Sequence, residues 1–381
     1  MSKIGNFIQQ PAGYKAFIPA SFPPKDIINW DSHLIKLLSE ADLAIGRLKE
    51  IELAVPDVDF FIFMYIKKEA SLSSQIEGTQ ATIIDLLKSE AKLDDEVASD
   101  VDEIKNYINA MNYGIHRLKE LPLSLRLIRE IHKKLLTGVR GQYKTPGEFR
   151  KTQNWIGGPS IETATFVPPP ITEVLRAMSD LEKFIHNDTD NIPILAKAGL
   201  IHAQFETIHP FLDGNGRVGR LLITFYLVSK GLLKRPLLYL SDFFKKYRQL
   251  YYEKLNSYHQ ESNGIELWLK FFFEAVKTVA NEAADTALEI MKLRQNDIQT
   301  VAGFGRNAKT ALILLDKLYS LPLVDWKMVA KITRLKSKST VNDLIDKFVK
   351  NRILDEITGK KKNRRFVYRQ YLNKFSRDKV V

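Results

Sequence analysis

The stretch Ile208-His209-Pro210-Phe211-Leu212-Asp213-Gly214-Asn215-Gly216-Arg217-Val218-Gly219-Arg220 constrains this chain more than any other. Upstream of it Ile194, Ala198, Ile201, Phe205 and Ile208 recur at four- and three-residue steps, which predicts a helix. Asn191 is the candidate cap of that helix, with Pro193 in its first turn, and Pro210 pushes His209 out of helical geometry. A second, apolar helix follows from Leu221 to Val228 and ends near Gly231. The short connection must therefore hold an imidazole, a carboxylate and a small-residue turn, with two arginines just beyond. In the Gly214-Asn215-Gly216 run, backbone N–H groups turn inward as an anion nest, and the positive end of the following helix adds to it. Arg217 and Arg220, three apart, fall on one helix face and reach successive phosphates. Asp213 suits Mg²⁺, which takes one or two carboxylates and completes its shell with phosphate oxygens and water. His209 is left as a base toward an incoming hydroxyl. The blander alternative is a capped loop around a core histidine.

Gly214-x-Gly216-x-x-Gly219 also spells the dinucleotide fingerprint, with Asp242 near the expected distance downstream. That fingerprint must follow a strand, and the residues before it have helical periodicity, so a doubly wound fold is excluded on context.

The order of residues resembles the signature of the Fic family, HPFx(D/E)GNGRxxR, at every specified position. The resemblance implies transfer of a nucleoside monophosphate, usually AMP from ATP, onto a Ser, Thr or Tyr hydroxyl of a protein. It brings His209 in as base, Asp213 as the Mg²⁺ ligand, and Gly214, Asn215, Gly216, Arg217, Val218, Gly219 and Arg220 as nucleotide-binding residues. Earlier in the chain, Ser73-Ser74-Gln75-Ile76-Glu77-Gly78 closes an apolar helix that starts after Pro56 and stops at Gly78. Ser73 and Glu77 share a face, and a Glu at a helix C-terminus opposes the macrodipole, which hints at a cationic partner. Beside the signature this segment resembles the family's inhibitory motif, (S/T)xxxE(G/N). The resemblance implies that Glu77 pairs with Arg220 and displaces the γ-phosphate. Taken alone the segment is an ordinary helix end.

Further parts fit the same family. Thr152–Gly158 and Ala164–Pro170 are two β-prone runs around Gly, Pro and Ser, which predicts a hairpin with an irregular tip. The resemblance makes it the flap that covers the nucleotide and pairs with the target's backbone. Arg248-Gln249-Leu250-Tyr251-Tyr252-x-x-Leu255 is similar to the family's RxxYYxxL segment, which places Tyr251 beside the nucleoside, with Asn263 a possible adenine or ribose contact. Core aromatics at helical spacing are the alternative for both tyrosines. Residues 1–27, with four prolines and scattered aromatics, are expected to form an extended arm, and 28–52, 101–118, 123–136 and 265–294 to form helices. Thr79 or Thr82 is the candidate cap of a helix before the acidic stretch at 90–102.

Charge separates the C-terminal module from the rest. From Gly305 to Val381 there are 20 Lys/Arg against 7 Asp/Glu, a net of +13, leaving 37 basic and 38 acidic residues upstream. Helical patterns at 308–319, 325–332 and 338–350, then β-prone runs at Ile353–Ile357 and Arg365–Tyr368 around a basic turn, predict a winged helix. Nucleic-acid contact is its functional reading and protein docking the alternative, since Asp343 and Asp346 would face phosphates. The absence of cysteine excludes disulfides, thiolate zinc sites and a cysteine nucleophile. Neither a signal peptide nor a span of about 18 apolar residues is present, so a cytoplasmic protein with no membrane contact is expected.

The expected fold is mainly α, a Fic-type helical bundle with a β-hairpin flap plus the C-terminal winged helix. Its expected parts are an N-terminal helical segment carrying the inhibitory helix (1–120), a catalytic core (121–264), a connecting helix (265–304) and the winged helix (305–381). The expected activity is AMP transfer from ATP, with Mg²⁺, to a target hydroxyl and to the protein itself, releasing pyrophosphate under restraint by Glu77. The alternatives are a DNA-binding regulator whose Fic body senses ATP, and a Glu77-dependent enzyme that removes AMP. Expected partners are ATP, a protein target, nucleic acid through the C-terminal module, and a second copy in a homodimer.

Overall fold

Helical periodicity dominates the sequence and it dominates the structure, a computed structural model that describes residues 3–54, 59–91, 100–359 and 363–375. In chain order the elements are β1 (Gly5–Gln9), β2 (Lys15–Pro19), α1 (Ser32–Ala54), α2 (Asp59–Ile76), α3 (Ile83–Glu90), α4 (Val101–Arg117) and α5 (Leu125–Leu136). Then come α6 (Ile171–His186), α7 (Ile194–Ile208), α8 (Asn215–Ser229), α9 (Ser241–Lys246), α10 (Arg248–Gln260) and α11 (Gly264–Ala302). The last part holds α12 (Ala308–Ser320), β3 (Leu323–Asp325), α13 (Trp326–Thr333), α14 (Lys338–Lys350), β4 (Asp355–Glu356), β5 (Arg365–Val367) and α15 (Arg369–Leu372). Pro56, residues 92–99 of the acidic stretch, and Lys360, Lys361 and Lys362 of the basic turn lie outside the described residues.

Two compact units divide the chain. The first comprises Met1–Arg47, Leu72–Gln80 and Asp102–Asn281. Its centre is α7, where Leu195, Ala198, Ile201, Phe205 and Ile208 are all buried, as expected of a helix that is apolar around most of its circumference. α7 packs along α8, and glycines set two close helix approaches. A Cβ on Gly114 of α4 would lie 2.3 Å from the Phe225 ring of α8, and one on Gly199 of α7 would lie 3.0 Å from Phe272 of α11. Trp268 of α11 donates its indole N–H to the Gly199 carbonyl at 2.8 Å.

Three local expectations are corrected in this unit. Residues 1–27 are not an extended arm: β1 and β2 pair antiparallel with Phe7 opposite Phe17. The two strands carry no alternation of exposed and buried side chains, so the hairpin left no periodic signal in the sequence. The hairpin expected at 152–170 narrows to a single antiparallel bridge, Ile156 to Phe166, with N–H···O bonds of 2.8 and 3.1 Å. Its glycines take left-handed conformations, Gly157 at φ +69° and Gly158 at φ +77°, which turns the chain out of the ladder immediately after Ile156. Asn191 does not cap α7: it has φ +52°, and the N-cap position belongs to Pro193.

The second unit comprises Leu48–Ser71, Ala81–Val101 and Glu282–Val381. Thr82 caps α3 through a capping box with Asp85. In the C-terminal part β3, β5 and β4 form an antiparallel three-stranded sheet in the order β3-β5-β4. Leu314, Leu315 and Leu318 of α12 and Val341, Leu344 and Phe348 of α14 are buried. Tyr368 donates to Asp297 of α11, and its hydroxyl lies 3.2 Å from that of Tyr319, so a polar network sits inside this core. Arg364 faces Asp346 of α14 at 3.6 Å. Among the described residues no helix is long and apolar enough to cross a membrane.

Candidate active site

The loop between α7 and α8 is shaped by the residue that ends α7. His209 takes φ 49°, ψ 58°, a left-handed conformation that costs a side-chain-bearing residue about 1–2 kcal/mol. Neighbours hold it there. Arg150 donates from Nε to the His209 carbonyl (3.0 Å) and from its backbone N–H to the Pro210 carbonyl (2.8 Å). Asn154 donates to the carbonyls of His209 and Phe211 at 3.3 and 3.0 Å. Asn215 closes the loop on itself, accepting from the Phe211 N–H at 2.9 Å and donating to the Phe211 carbonyl at 2.8 Å. His132 of α5 stacks on the Phe211 ring at 3.7 Å. Because Gly147 donates its N–H to Nδ1 of His132 at 2.8 Å, the ring proton sits on Nε2 and goes to the Asp213 carbonyl at 3.0 Å. Gly214 at φ +77° then turns the chain into α8.

At the first turn of α8 the Val218 N–H is committed to the Gly214 carbonyl at 3.0 Å, so the expected anion nest consists of the N–H groups of Asn215, Gly216 and Arg217. Val218 and Gly219, expected to bind the nucleotide through their backbone, lie beyond it within the helix. Asp213 accepts at Oδ1 from the Gly214 N–H (2.6 Å) and from Arg217 (3.5 Å), and Oδ2 has no hydrogen bond among the described residues.

Each of the two arginines of α8 is met by a carboxylate. Arg217 donates to Glu103 of α4 at 3.3 Å, in a pair whose side chains are 1% and 4% exposed. Glu103 also accepts from the Thr79 hydroxyl at 2.7 Å and lies 3.5 Å from Arg140. Arg220 donates to Glu77 Oε1 at 2.8 Å, and to the hydroxyl and carbonyl of Ser73 at 2.8 and 2.9 Å. Gly78, at φ +98°, ends the segment that presents Glu77. A Cβ on Gly216 would lie 2.1 Å from Glu77 Oε1, so the Glu77 carboxylate rests on the first turn of α8. Burial would raise the Glu77 pKa, but the charge and hydrogen bond of Arg220 hold it below the ordinary value. Arg220 is raised above its ordinary value: burial lowers it, and Glu77 more than offsets that.

His209 lies in the same pocket. Its Nδ1 is 3.3 Å from the Glu206 carbonyl, an acceptor, which puts the ring proton on Nδ1 and leaves Nε2 unprotonated. Burial lowers the His209 pKa to about 4, so the ring is neutral at neutral pH. Glu206 behaves oppositely, pushed up to about 8 by burial.

These groups open onto a cavity of about 580 Å³, lined by Glu77, Glu206, His209, Gly216 and Arg220 at one end. Trp155, Thr165 and Phe166 line it from the bridge segment, and Arg248, Tyr251, Tyr252, Asn256 and His259 from α10. That volume lies in the range of small-molecule sites, roughly 300–1,000 Å³. Tyr251 is buried and shares a hydrogen bond of 2.8 Å with His202, so it is both cavity wall and core. Asn263 is a correction: it is exposed in the turn after α10 and does not line the cavity. Asn256 does, because α10 runs on to Gln260 and positions 248, 252, 256 and 259 share its inner face.

Comparison with known proteins agrees with this geometry. Residues 122–227 match the Fic/DOC family, and residues 35–116 match the Fic/DOC family N-terminal region. The chain carries a Fic/DOC domain. The first match contains the whole of 208–220, and the second contains Ser73, Glu77 and Glu103. A probable protein adenylyltransferase of Aquifex aeolicus is 30% identical over 184 residues, covering 45% of this chain and 51% of that protein. The protein adenylyltransferase Fic of Drosophila grimshawi is 31% identical over 175 residues, covering 43% of this chain and 34% of that protein. The matches thus span about half, or less, of those relatives' length. Two solved Fic structures share the fold. The Fic family protein of Desulfovibrio desulfuricans has a TM-score of 0.56 at 17% identity, covering 90% of this chain and 97% of its own. A Fic domain-containing signaling protein of Bacteroides thetaiotaomicron has a TM-score of 0.54 at 21% identity, covering 68% and 97%.

Motif reading missed Glu103, Thr79, His132 and Glu206 in this Fic site. The one signal available was composition: Glu206 is the sole acid on α7.

Proposed function

We propose that this Fic protein is a protein adenylyltransferase that moves AMP from ATP to a Ser, Thr or Tyr hydroxyl of a target and of itself, with Glu77 as its intramolecular brake. The observation that carries the reading is one cavity that joins an unprotonated His209 Nε2, the N-terminus of α8 and Arg220. The target hydroxyl gives its proton to Nε2 as its oxygen attacks the α-phosphorus. The new O–P bond forms as the bond to the bridging oxygen breaks, and pyrophosphate leaves. The left-handed turn at His209 and its contacts with Arg150 and Asn154 hold the imidazole in place, so positioning supplies much of the rate. The N–H groups of Asn215, Gly216 and Arg217 offset charge that develops on the phosphates. The side chain of Asn215 keeps the loop closed, and the buried Arg217 holds Asp213.

Mg²⁺ fits the donor set: Oδ2 of Asp213 is free among the described residues, and Mg²⁺ asks for only one or two protein carboxylates beside phosphate oxygens. No group of three or more metal-holding side chains exists among the described residues, so Asp213 would hold it alone. When bound it supplies charge neutralisation between phosphate oxygens.

Glu77 supports restraint because its carboxylate rests on Gly216 and engages Arg220, the two features that a terminal phosphate would use. We read 305–381 as a winged helix that docks protein, since Arg364 is turned to Asp346 of α14.

Transfer of label from α-labelled ATP tests the reading. His209→Ala should abolish transfer while ATP binding survives, a loss of about 10²–10⁴-fold for a general base. Undiminished transfer by that variant would sink the mechanism.

A further inference from the structure

Nothing above uses the Glu206 side chain. Its side chain is only 11% exposed, yet Oε1 has no hydrogen-bond partner among the described residues. An unpaired buried oxygen costs about 1–3 kcal/mol unless something satisfies it. The carboxyl lines the cavity that also holds His209, Gly216 and Arg220, where the reading above places the phosphates. Gly219 makes room for it, since a Cβ there would lie 2.2 Å from Oε1. Oε2 is 4.0 Å from His209 Nδ1, and that proton is already directed to the Glu206 backbone carbonyl. The acid therefore neither orients the base nor holds the arginine, which belongs to Glu77. A carboxylate here would repel a polyanion across a low-dielectric cavity; a carboxylic acid would present an O–H to it.

We propose that Glu206 serves as a neutral carboxylic acid that donates a hydrogen bond to the nucleotide beside His209, through a non-bridging phosphate oxygen or a ribose hydroxyl. This rests on the nucleotide reading of the cavity. It makes Glu206 a binding residue whose protonated state is the working one.

The surroundings make the idea separable from other titrations. Burial pushes Glu206 up to about 8; Arg220 pulls it down and Glu77 pushes it further up. Of the other groups facing it, Glu77 is lowered, His209 is lowered to about 4, and His202 and His259 are lowered to about 3. Arg220, Tyr251 and Tyr252 are raised. The phosphates of a nucleotide are essentially ionised above about pH 7.5. Between about pH 7.5 and 9.5, then, Glu206 is the group that changes charge.

The test is the dissociation constant of an ATP analogue that cannot be cleaved at the α-phosphorus, measured by calorimetry from pH 7 to 9.5. Wild type should weaken by about tenfold per pH unit once Glu206 ionises, the slope for one linked proton. Glu206→Gln keeps a donor without an ionisation, so it should bind within about threefold of wild type at pH 7 and stay flat. Glu206→Met should bind about tenfold more weakly at pH 7, the loss of one hydrogen bond to a charged partner, and also stay flat. A flat wild-type profile, a Gln variant that falls with the wild-type slope, or a Met variant as tight as wild type at pH 7 overturns the proposal. Should no form bind the analogue at pH 7, the nucleotide reading itself has failed, and this proposal falls with it. The wild-type profile decides even if methionine is not accommodated.

Discussion

Arg217 and Arg220 stand one turn apart on α8, both buried and both met by a carboxylate, yet their sites are built differently. Arg217 is paired with Glu103, which is 4% exposed, sits on α4 and also serves Thr79 and Arg140. Arg220 is paired with Glu77, which is 30% exposed and projects from a helix end into the cavity. Both side chains of the first pair are almost fully buried, and neither lines the cavity. The second borders a space that a phosphate can enter. Identical chemistry in one helix therefore gives a fixed strut at one position and a removable latch at the next, and burial of the acid makes the difference.

The largest expected effect breaks the strut. Glu103→Ala leaves a buried guanidinium with only the 3.5 Å contact to Asp213, and should cost about 3–5 kcal/mol of stability, the range for breaking a buried ion pair. Glu77→Gly leaves Arg220 its two bonds to Ser73 and should cost no more than the charge-assisted hydrogen bond it removes, about 1.5–3 kcal/mol. Denaturant unfolding of the two variants side by side checks the contrast. Equal losses would mean that both pairs are structural.

How much of this was legible beforehand follows the same division. The fold class, the helix–loop–helix around His209 and the approach of Glu77 to Arg220 could be read because each lies in a contiguous pattern: an apolar period, a proline, a spaced motif. Glu103 could not, because its partner Arg217 is 114 residues away and an acid in the first turn of α4 looks like an ordinary helix-dipole residue. Glu206 was hidden for the converse reason, since its importance lies in what it lacks. Asn263 was misplaced by seven residues, about two turns of helix: α10 ends at Gln260, and its length decides which asparagine faces the cavity. The β1–β2 hairpin is also tied to distant chain, as by Phe17 N–H to the Val167 carbonyl at 3.0 Å, a contact that no local pattern of residues 1–27 contains.

A smaller effect sharpens the comparison at the residue that touches both sites. Thr79 follows Glu77 by two positions and gives its hydroxyl to Glu103. Thr79→Val keeps the shape and removes that bond, worth about 1 kcal/mol, so the turn presenting Glu77 should loosen and label transfer should rise by up to about fivefold. A rate equal to wild type would mean that the strut does not steady the latch.

The smallest expected effect is no change at all. The Glu77 pKa is lowered in the folded protein, so its contribution is complete above the unfolded value near 4.5 and is lost only as pH falls through the depressed one. The ratio of label transfer by Glu77→Gly to that by wild type should therefore stay constant from pH 6 to 8. A ratio that shrinks toward pH 6 would show that the carboxylate protonates in that range and that Arg220 does not hold it.

The most direct measurement is transfer from α-labelled ATP by wild type, Glu77→Gly and Glu77→Gly/Arg220→Ala in parallel. A charge-assisted hydrogen bond of about 1.5–3 kcal/mol holds the latch, so Glu77→Gly should exceed wild type by roughly ten- to hundredfold. The double variant should fall back toward wild type, because the released arginine is what the γ-phosphate gains. If Glu77→Gly remains folded, binds ATP and transfers no faster than wild type, Glu77 is not a latch and the account is contradicted.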